Sequence, residues 1–460
     1  MRGDLTQGPI LKTLLSFSIP MLIGNVLQTL NGSVNAIWVG RLIGESALAG
    51  TANANVVMFM LFAAVFGFGM ATTVRVGQYF GAGDITGARM TFGTGLGFCT
   101  ALAALTGVGG WFFSPALLHL MSTPAASLIE ANAYLRVVFV TMPLGTVSMM
   151  VSMGMRGAGD SKTPLYAMIL TVMFDIVLNP LLIMGAGPIP AMGIAGSAIA
   201  TGFANAMGSL FMIWSLYRRD LPLRLRGAEL GYLVPRAEEL RYVLTKGLPM
   251  GAQMLLVSSA GLVMIGLVNR EGLNAAAAYG ASLQLWNYLQ MPAFAIGSAV
   301  SAMVAQNIGA GNHARVNQVT IIGLGTNLAL TTLLAGLIVA FDRPLLALFL
   351  GGSSPALPIA EHIQLVCTVS FVIMSITMIL TGTLRAYGAV IAPLLILGIA
   401  FYPGRLGFYA LAFPYIGGDA VWWAYPAGSV VSVILTLGYY FGADWRRAAA
   451  LPRHVAAPAE

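Results

Sequence analysis

Residues 77–89 read GQYFGAGDITGAR, and residues 305–317 read AQNIGAGNHARVN. A polar stretch built on Gly-Ala-Gly thus occurs twice, 228 positions apart in a chain of 460 residues. Working outward from the two copies, other pairs keep this offset to within one position. LLSFSIPMLIGNVLQ places Pro20 opposite Pro249 of VLTKGLPMGAQMLLV. GMRGAGDSKTPL and GTLRAYGAVIAPL place Arg156 opposite Arg385, and Pro164 opposite Pro393. The chain therefore reads as an internal duplication. Each Gly-Ala-Gly reads as a tight turn in which glycine supplies a positive φ. Asp84 and Arg89 then read as caps or clasps of the neighbouring helix ends.

Between these turns the sequence is strongly apolar. Hydrophobic residues make up 58% of the chain and charged residues 8%, against about a quarter charged in a soluble domain. So few charges cannot cover the surface of a water-soluble fold of this length. Continuous apolar runs of about 18–25 residues fit helices that cross roughly 30 Å of hydrocarbon. A membrane β-barrel would instead show runs of about ten alternating residues. Twelve spans are expected: 13–38, 47–75, 91–113, 128–153, 163–185, 193–216, 247–268, 275–304, 318–341, 361–383, 390–415 and 420–442.

Lysine and arginine set the orientation. With the N-terminus inside, eighteen of them fall in inner segments, from Arg2 to Arg453, and three in outer loops, Arg41, Arg270 and Arg343. Both termini are expected in the cytosol. The formal charge of +7 is explained by this loop bias, so no nucleic-acid partner is expected. Cys99 and Cys367 lie in apolar spans and read as small buried hydrophobes. The four histidines show no zinc spacing, and no metal or cofactor is expected. The N-terminal segment lacks a cleavage site and reads as a retained first helix.

The fold class expected is all-α integral membrane protein: two six-helix bundles around a central cleft. They cover residues 1–216 and 247–442, joined by a basic cytosolic linker, 217–246, and followed by a tail, 443–460. Six spans per half is an even number, so the repeats are parallel, which is the architecture of a secondary transporter.

One acidic residue lies clearly inside a span: Asp175, in VMFDIVLNPLLIMG at residues 172–185. A carboxylate at mid-bilayer costs about 2.5–3.5 kcal/mol on insertion scales and usually faces a bundle interior. It reads as a protonation or cation site, the alternative being a structural Asp satisfied by neighbouring hydroxyls or amides. Asn179 shares its helix face, four residues on. Pro180 frees the carbonyl of Ile176, for an ion or simply as a packing kink. Asn35, Tyr134 and Thr201 fall at similar depth on spans 1, 4 and 6. Gln253, Gln284, Trp286 and Asn287 are the candidates for lining the cleft in the second half. Pro20, Pro180 and Pro249 are the candidate hinges.

VNAIWVGRLIGESALAG after Pro20, the paired QYFGAGD and QNIGAGN turns, RGAGDSKTP, IVLNPLLIMG and GIAGSAIAT together resemble the multidrug and toxic compound extrusion (MATE) family, prokaryotic branch. The resemblance covers essentially all twelve spans. It implies an inner-membrane antiporter, not an enzyme, that exports organic, often cationic, compounds in exchange for H⁺ or Na⁺. It also implies an ion-coupling cluster at Asn35, Tyr134, Asp175, Asn179 and Thr201. The chain departs from the family pattern twice. The usual acid of span 1 is Asn35, and the usual Asn-then-Asp order of span 5 is inverted to Asp175 then Asn179. A single carboxylate suits one proton better than Na⁺, which favours several charged or carbonyl oxygens, so H⁺ coupling is expected, in a monomer embedded in the lipid bilayer. The alternative is a lipid-linked oligosaccharide flippase of related fold. For that, Arg136 and Arg405 are the only basic residues within spans.

Overall fold

The computed structural model describes residues 4–120, 125–185 and 187–448. Arg2, Arg453 and the tail from 449, together with the side chain of Arg447, lie outside the described residues. Among the described residues there are twelve helices long and apolar enough to cross a membrane. The first half contains α1 (Ile10–Leu42), α2 (Glu45–Gly81), α3 (Ile85–Leu120), α4 (Ala125–Gly157), α5 (Lys162–Met184) and α6 (Gly193–Arg218). The second contains α7 (Ala237–Arg270), α8 (Leu273–Gly309), α9 (His313–Ala340), α10 (Asp342–Leu350), α11 (Leu357–Ala386), α12 (Ile391–Ile399), α13 (Gly407–Ile416) and α14 (Asp419–Gly442). A π-helical turn, Ala400–Leu406, joins α12 to α13 into one span.

The duplication is visible residue by residue. Helices α2 and α8 are each 37 residues long and begin and end 228 positions apart. Both end at the repeated turn, where Gly83 and Gly311 take φ of 77° and 70°, a region open to glycine at little cost. Asp84 accepts a hydrogen bond from the Gly87 amide at 2.8 Å and so caps α3. Arg89 clasps the linker, reaching Glu229 at 2.6 Å and the Pro222 carbonyl at 2.7 Å. Large apolar side chains stand exposed along the helices, among them Leu105, Phe112 and Phe113 of α3 at 66–72%. Such surfaces match a hydrocarbon solvent, not water.

The polypeptide forms two compact units. The first runs from Ile19 to Gly251, and the second contains Leu5–Ser18 with the chain from Ala252 onward. This partition differs from the sequence-based one at 216/217 and 246/247. The base of α1 belongs with the second half, and the base of α7 with the first. In the second unit, Gln306 and Asn307 of the repeated turn hold the backbone of Leu5, at 2.9 and 3.4 Å. Arg315 donates to the Gly8 carbonyl at 2.8 Å.

In the first unit α7 starts ten residues before the expected span, taking in part of the expected linker. Glu238, Glu239 and Arg241 lower the hydropathy there, yet Glu239, Val243, Gly247 and Met250 form a buried stripe at helical spacing. Val243 packs with Val65, Phe68 and Cys99. Gly247 lets the α7 backbone come against Phe68, where a Cβ would fall 2.7 Å from the ring. Glu239, 1% exposed, accepts hydrogen bonds from Tyr79 and Thr91, both at 2.8 Å. It also pairs with the buried Arg75 at 3.5 Å, whose guanidinium lies over the Tyr79 and Tyr242 rings.

Removing one partner of a buried ion pair strands the other, at about 3–5 kcal/mol. Glu239→Ala should therefore lower the thermal midpoint of the purified protein well below that of Glu239→Gln, which keeps an acceptor. Labelling of the buried Cys99 and Cys367 by a thiol-reactive fluorophore during heating reads the transition. An unchanged midpoint in Glu239→Ala would contradict this account of how α7 is anchored.

Candidate ion-coupling site

Asp175 sits on α5, and its side chain is 0% exposed. Both carboxylate oxygens are fully engaged. Oδ2 accepts from Asn31 Nδ2 at 2.6 Å and from Asn35 Nδ2 at 2.7 Å, both on α1. Oδ1 accepts from Thr201 Oγ1 of α6 at 3.0 Å and from Asn179 Nδ2 of its own helix at 3.2 Å. Asn179 also donates to Asn35 Oδ1 at 3.1 Å, which ties the amides to one another. A carboxylate offers about four acceptor positions, and four donors fill them.

Small residues make this convergence possible. On α6 a Cβ at Gly208 would lie 2.2 Å from Thr171 Oγ1, and one at Gly196 2.5 Å from the Leu182 carbonyl. Both contacts are with α5. Without side chains at these two positions the helices approach closely, as small residues allow in membranes, and Thr201 reaches Asp175. On α1 the two asparagines are four apart, so one helix face carries both donors.

All four donors are neutral. Among the described residues no lysine or arginine pairs with Asp175, and no cluster of three or more His, Cys, Asp or Glu residues could hold a metal ion. The charge is stabilised by dipoles alone. Two further oxygens are buried without a partner: Oδ1 of Asn31 and Oδ1 of Asn179. A saturated acceptor thus lies beside two idle acceptors, an imbalance that one added hydrogen would relieve.

The sequence-derived residues meet in part. Asp175, Asn179, Asn35 and Thr201 converge. Tyr134 does not bond to the carboxylate. It packs instead against Val39, Ile183 and Ile194 as part of an apolar wall. Asn31 is the donor that the sequence reading missed. Its spacing of four from Asn35, matching that of Asp175 and Asn179, was the available signal.

In the second unit the expected lining residues divide. Gln284 and Asn287 are exposed on α8. Gln253 is buried and donates to the Val390 carbonyl at 3.1 Å. Trp286 requires a correction as a lining residue. It is 1% exposed in an aromatic core and donates to Gln364 Oε1 at 3.1 Å. A large ring in the middle of a helical stripe was core, because burial of its area outweighs the need to place one N–H. Arg136 lies over Trp111 and reaches Ser114 at 3.4 Å.

A hydrogen bond to a charged group contributes about 1.5–3 kcal/mol. Asn31→Ala should destabilise the protein by about that amount in the same thermal assay, and Asn35→Ala by a similar amount. A midpoint equal to that of the unaltered protein in both would show that Asp175 is not held by α1.

Comparison with known proteins agrees with this architecture. The family model MatE matches residues 20–181 and 249–408, one match in each half. The probable multidrug resistance protein YoeA of Bacillus subtilis is 34% identical over 426 residues, 92% of each chain. The FAD transporter of Shewanella oneidensis is 28% identical over 349 residues, 76% of each chain. The crystal structure of a MATE protein in the bent conformation superposes with a TM-score of 0.87 at 22% identity, covering 95% of this chain and 96% of that one. With both halves matched and a relative at 34% identity along nearly the whole length, the chain belongs to the MATE family of transporters.

Proposed function

We infer that the protein is a proton-coupled exporter of organic compounds, cationic or amphipathic in character, working by alternating access. The observation that carries the coupling ion is the state of the Asp175 site. A lone carboxylate accepts four neutral donors, while Asn31 Oδ1 and Asn179 Oδ1 wait unpartnered. Protonation turns an acceptor into a donor. Rotation of the Asn31 amide then presents an oxygen to the new O–H on Oδ2, with one proton and no added ion. A sodium ion would have to displace the four donors and would find one charge, not several. In this reading Asn35 and Thr201 belong to the coupling site, and Tyr134 seals it.

The names of the relatives support efflux. Several are called multidrug resistance or export proteins. The one named an FAD transporter widens the class of solute beyond drugs. The excess of basic residues in one set of loops supports a bacterial inner-membrane location with both termini cytosolic, and the protein is taken to act as a monomer. Pro20 and Pro249 support a hinge role. Each removes a helical hydrogen bond within three residues of the place where its helix passes from one compact unit to the other. Pro180, one residue past Asn179 inside α5, would let the site loosen its own helix.

The test uses purified protein in liposomes loaded with a cationic dye, under an imposed proton or sodium gradient. The proton gradient alone should drive uphill dye movement. Asp175→Asn should reduce that movement by roughly 5–150-fold, the range that coupling free energies of about 1–3 kcal/mol produce, while leaving downhill exchange of dye in place. Gradient-driven transport by Asp175→Asn at the native rate, or transport that follows sodium alone, would refute the proton reading.

A further inference from the structure

The second unit holds a charge that the proposed coupling does not use. Arg405 is the fifteenth of the 26 residues in the span Ile391–Ile416, near its middle. It is 7% exposed. Among the described residues it makes no salt bridge, and its Nε is enclosed without a hydrogen-bond partner. Its titratable neighbours are Tyr425, Tyr279 and Cys367, none of them a carboxylate. A guanidinium has five donors and no way to lose its charge. Placed at mid-membrane with nothing anionic beside it, it is expensive to retain, and such residues mark substrate or ion pathways.

The surroundings are built for this side chain. The guanidinium carbon lies 4.5 Å from the Phe401 ring centroid and 4.3 Å from that of Tyr425. Cation–π contact offsets part of the lost hydration while leaving the donor edge free. The Tyr425 ring is held in turn by a 2.5 Å hydroxyl contact with Tyr279 and by packing on Trp286. Gly428 of α14 clears space for the stem, since a Cβ there would stand 3.2 Å from Arg405 Cβ and 3.3 Å from its Nε. The backbone departs from α-helix at this place, in the π-helical turn Ala400–Leu406. Such turns are frequent at functional sites.

The duplication adds an independent argument. An offset of 229, which relates Pro164 to Pro393, sets Asp175 opposite Gly404. Arg405 is the next residue, within the π-helical turn. The acid and this arginine thus fall within one residue of corresponding places in the two halves.

We propose that Arg405 is a substrate-recognition residue that takes the carboxylate, sulfonate or phosphate group of an organic solute. The buried rings of Phe401 and Tyr425 hold the guanidinium in place, and its planar fork accepts two anionic oxygens side by side. This rests on the exporter reading for its physiological meaning, but its test is equilibrium binding, which needs no ion gradient. Failure of Asp175-dependent transport and failure of Arg405-dependent binding are therefore separate results.

The experiment titrates purified protein in neutral detergent against two dyes with the same xanthene rings and opposite charge, the anion fluorescein and the cation rhodamine 123, following fluorescence anisotropy. Fluorescein should bind the native protein. Arg405→Gln should weaken it by at least roughly tenfold, the scale of one lost charge-assisted contact, and leave rhodamine 123 within about twofold. Arg405→Lys, which keeps the charge but loses the fork, should fall between and should match the native protein in thermal midpoint. This keeps the test open should the glutamine variant fold poorly. Fluorescein affinity that is equal in all three proteins would overturn the proposal. Displacement of fluorescein by phosphatidylglycerol but not by phosphatidylcholine would also overturn it, assigning Arg405 to a lipid headgroup instead of a transported solute.

Discussion

A carboxyl group shut away from water must find all its hydrogen bonds in the protein, and Asp175 finds four. That requirement orders much of the first unit. It needs α1 to present two amides on one face, α5 to carry Asn179 one turn beyond the acid, and α6 to bring a hydroxyl within 3.0 Å. The last depends on bare backbone at Gly196 and Gly208 where α6 crosses α5. Each donor is neutral, so the site is held by dipoles alone. Among the described residues no counter-cation pairs with it, so neutral hydrogen bonds alone hold the group in place.

The same logic separates the two buried acid clusters. Glu239 is as enclosed as Asp175, but it has Arg75 beside it and the rings of Tyr79 and Tyr242 around that arginine. Its charge is matched, so it acts as a fastening for the base of α7. The second unit fastens the base of α1 by a different device, the Gln306 and Asn307 side chains on the backbone of Leu5. The duplicated turn thus has a structural purpose beyond reversing the chain. Its glycines make the turn, and its glutamine receives a segment from the opposite half of the sequence.

Much of this was legible from the chain. Span positions follow from hydropathy because hydrocarbon selects for continuous apolar runs, and the duplication follows from turns that need glycine. Asp175, Asn179, Asn35 and Thr201 could be brought together because a polar group at mid-span must meet others at the same depth. What was not legible has physical causes. Hydropathy cannot see a helix whose buried face is one stripe within a charged segment, so the start of α7 read as linker. Depth does not give the direction in which a side chain points, so Tyr134 read as part of the coupling cluster and Trp286 as a cleft-lining residue, although their rings pack against apolar neighbours. Asn31 lay one turn from a residue already singled out and went unremarked, since sequence alone cannot say how many donors a carboxylate will gather. The boundary between units was hidden for a related reason: a continuous helix can leave one packing environment and enter another with no change in composition.

Duplication begins with two equal halves, but moving one compound against another ion requires that the halves differ. If both bundles carried a titratable acid at the same place, each proton would be shared between two equivalent sites and its binding would bias neither. Here one half carries a carboxylate near the middle of a span, and the other carries a guanidinium one residue past the position that the offset of 229 relates to it. In the proton-coupled reading the carboxylate gains and loses a proton. The guanidinium cannot, and its charge stays constant through any cycle. In the proposed mechanism this divides the labour by chemistry. The group that changes charge reports the ion gradient, and the group that keeps its charge takes the anionic group of an amphipathic solute whatever the state of the first. Coupling then does not require ion and solute to compete for the same atoms.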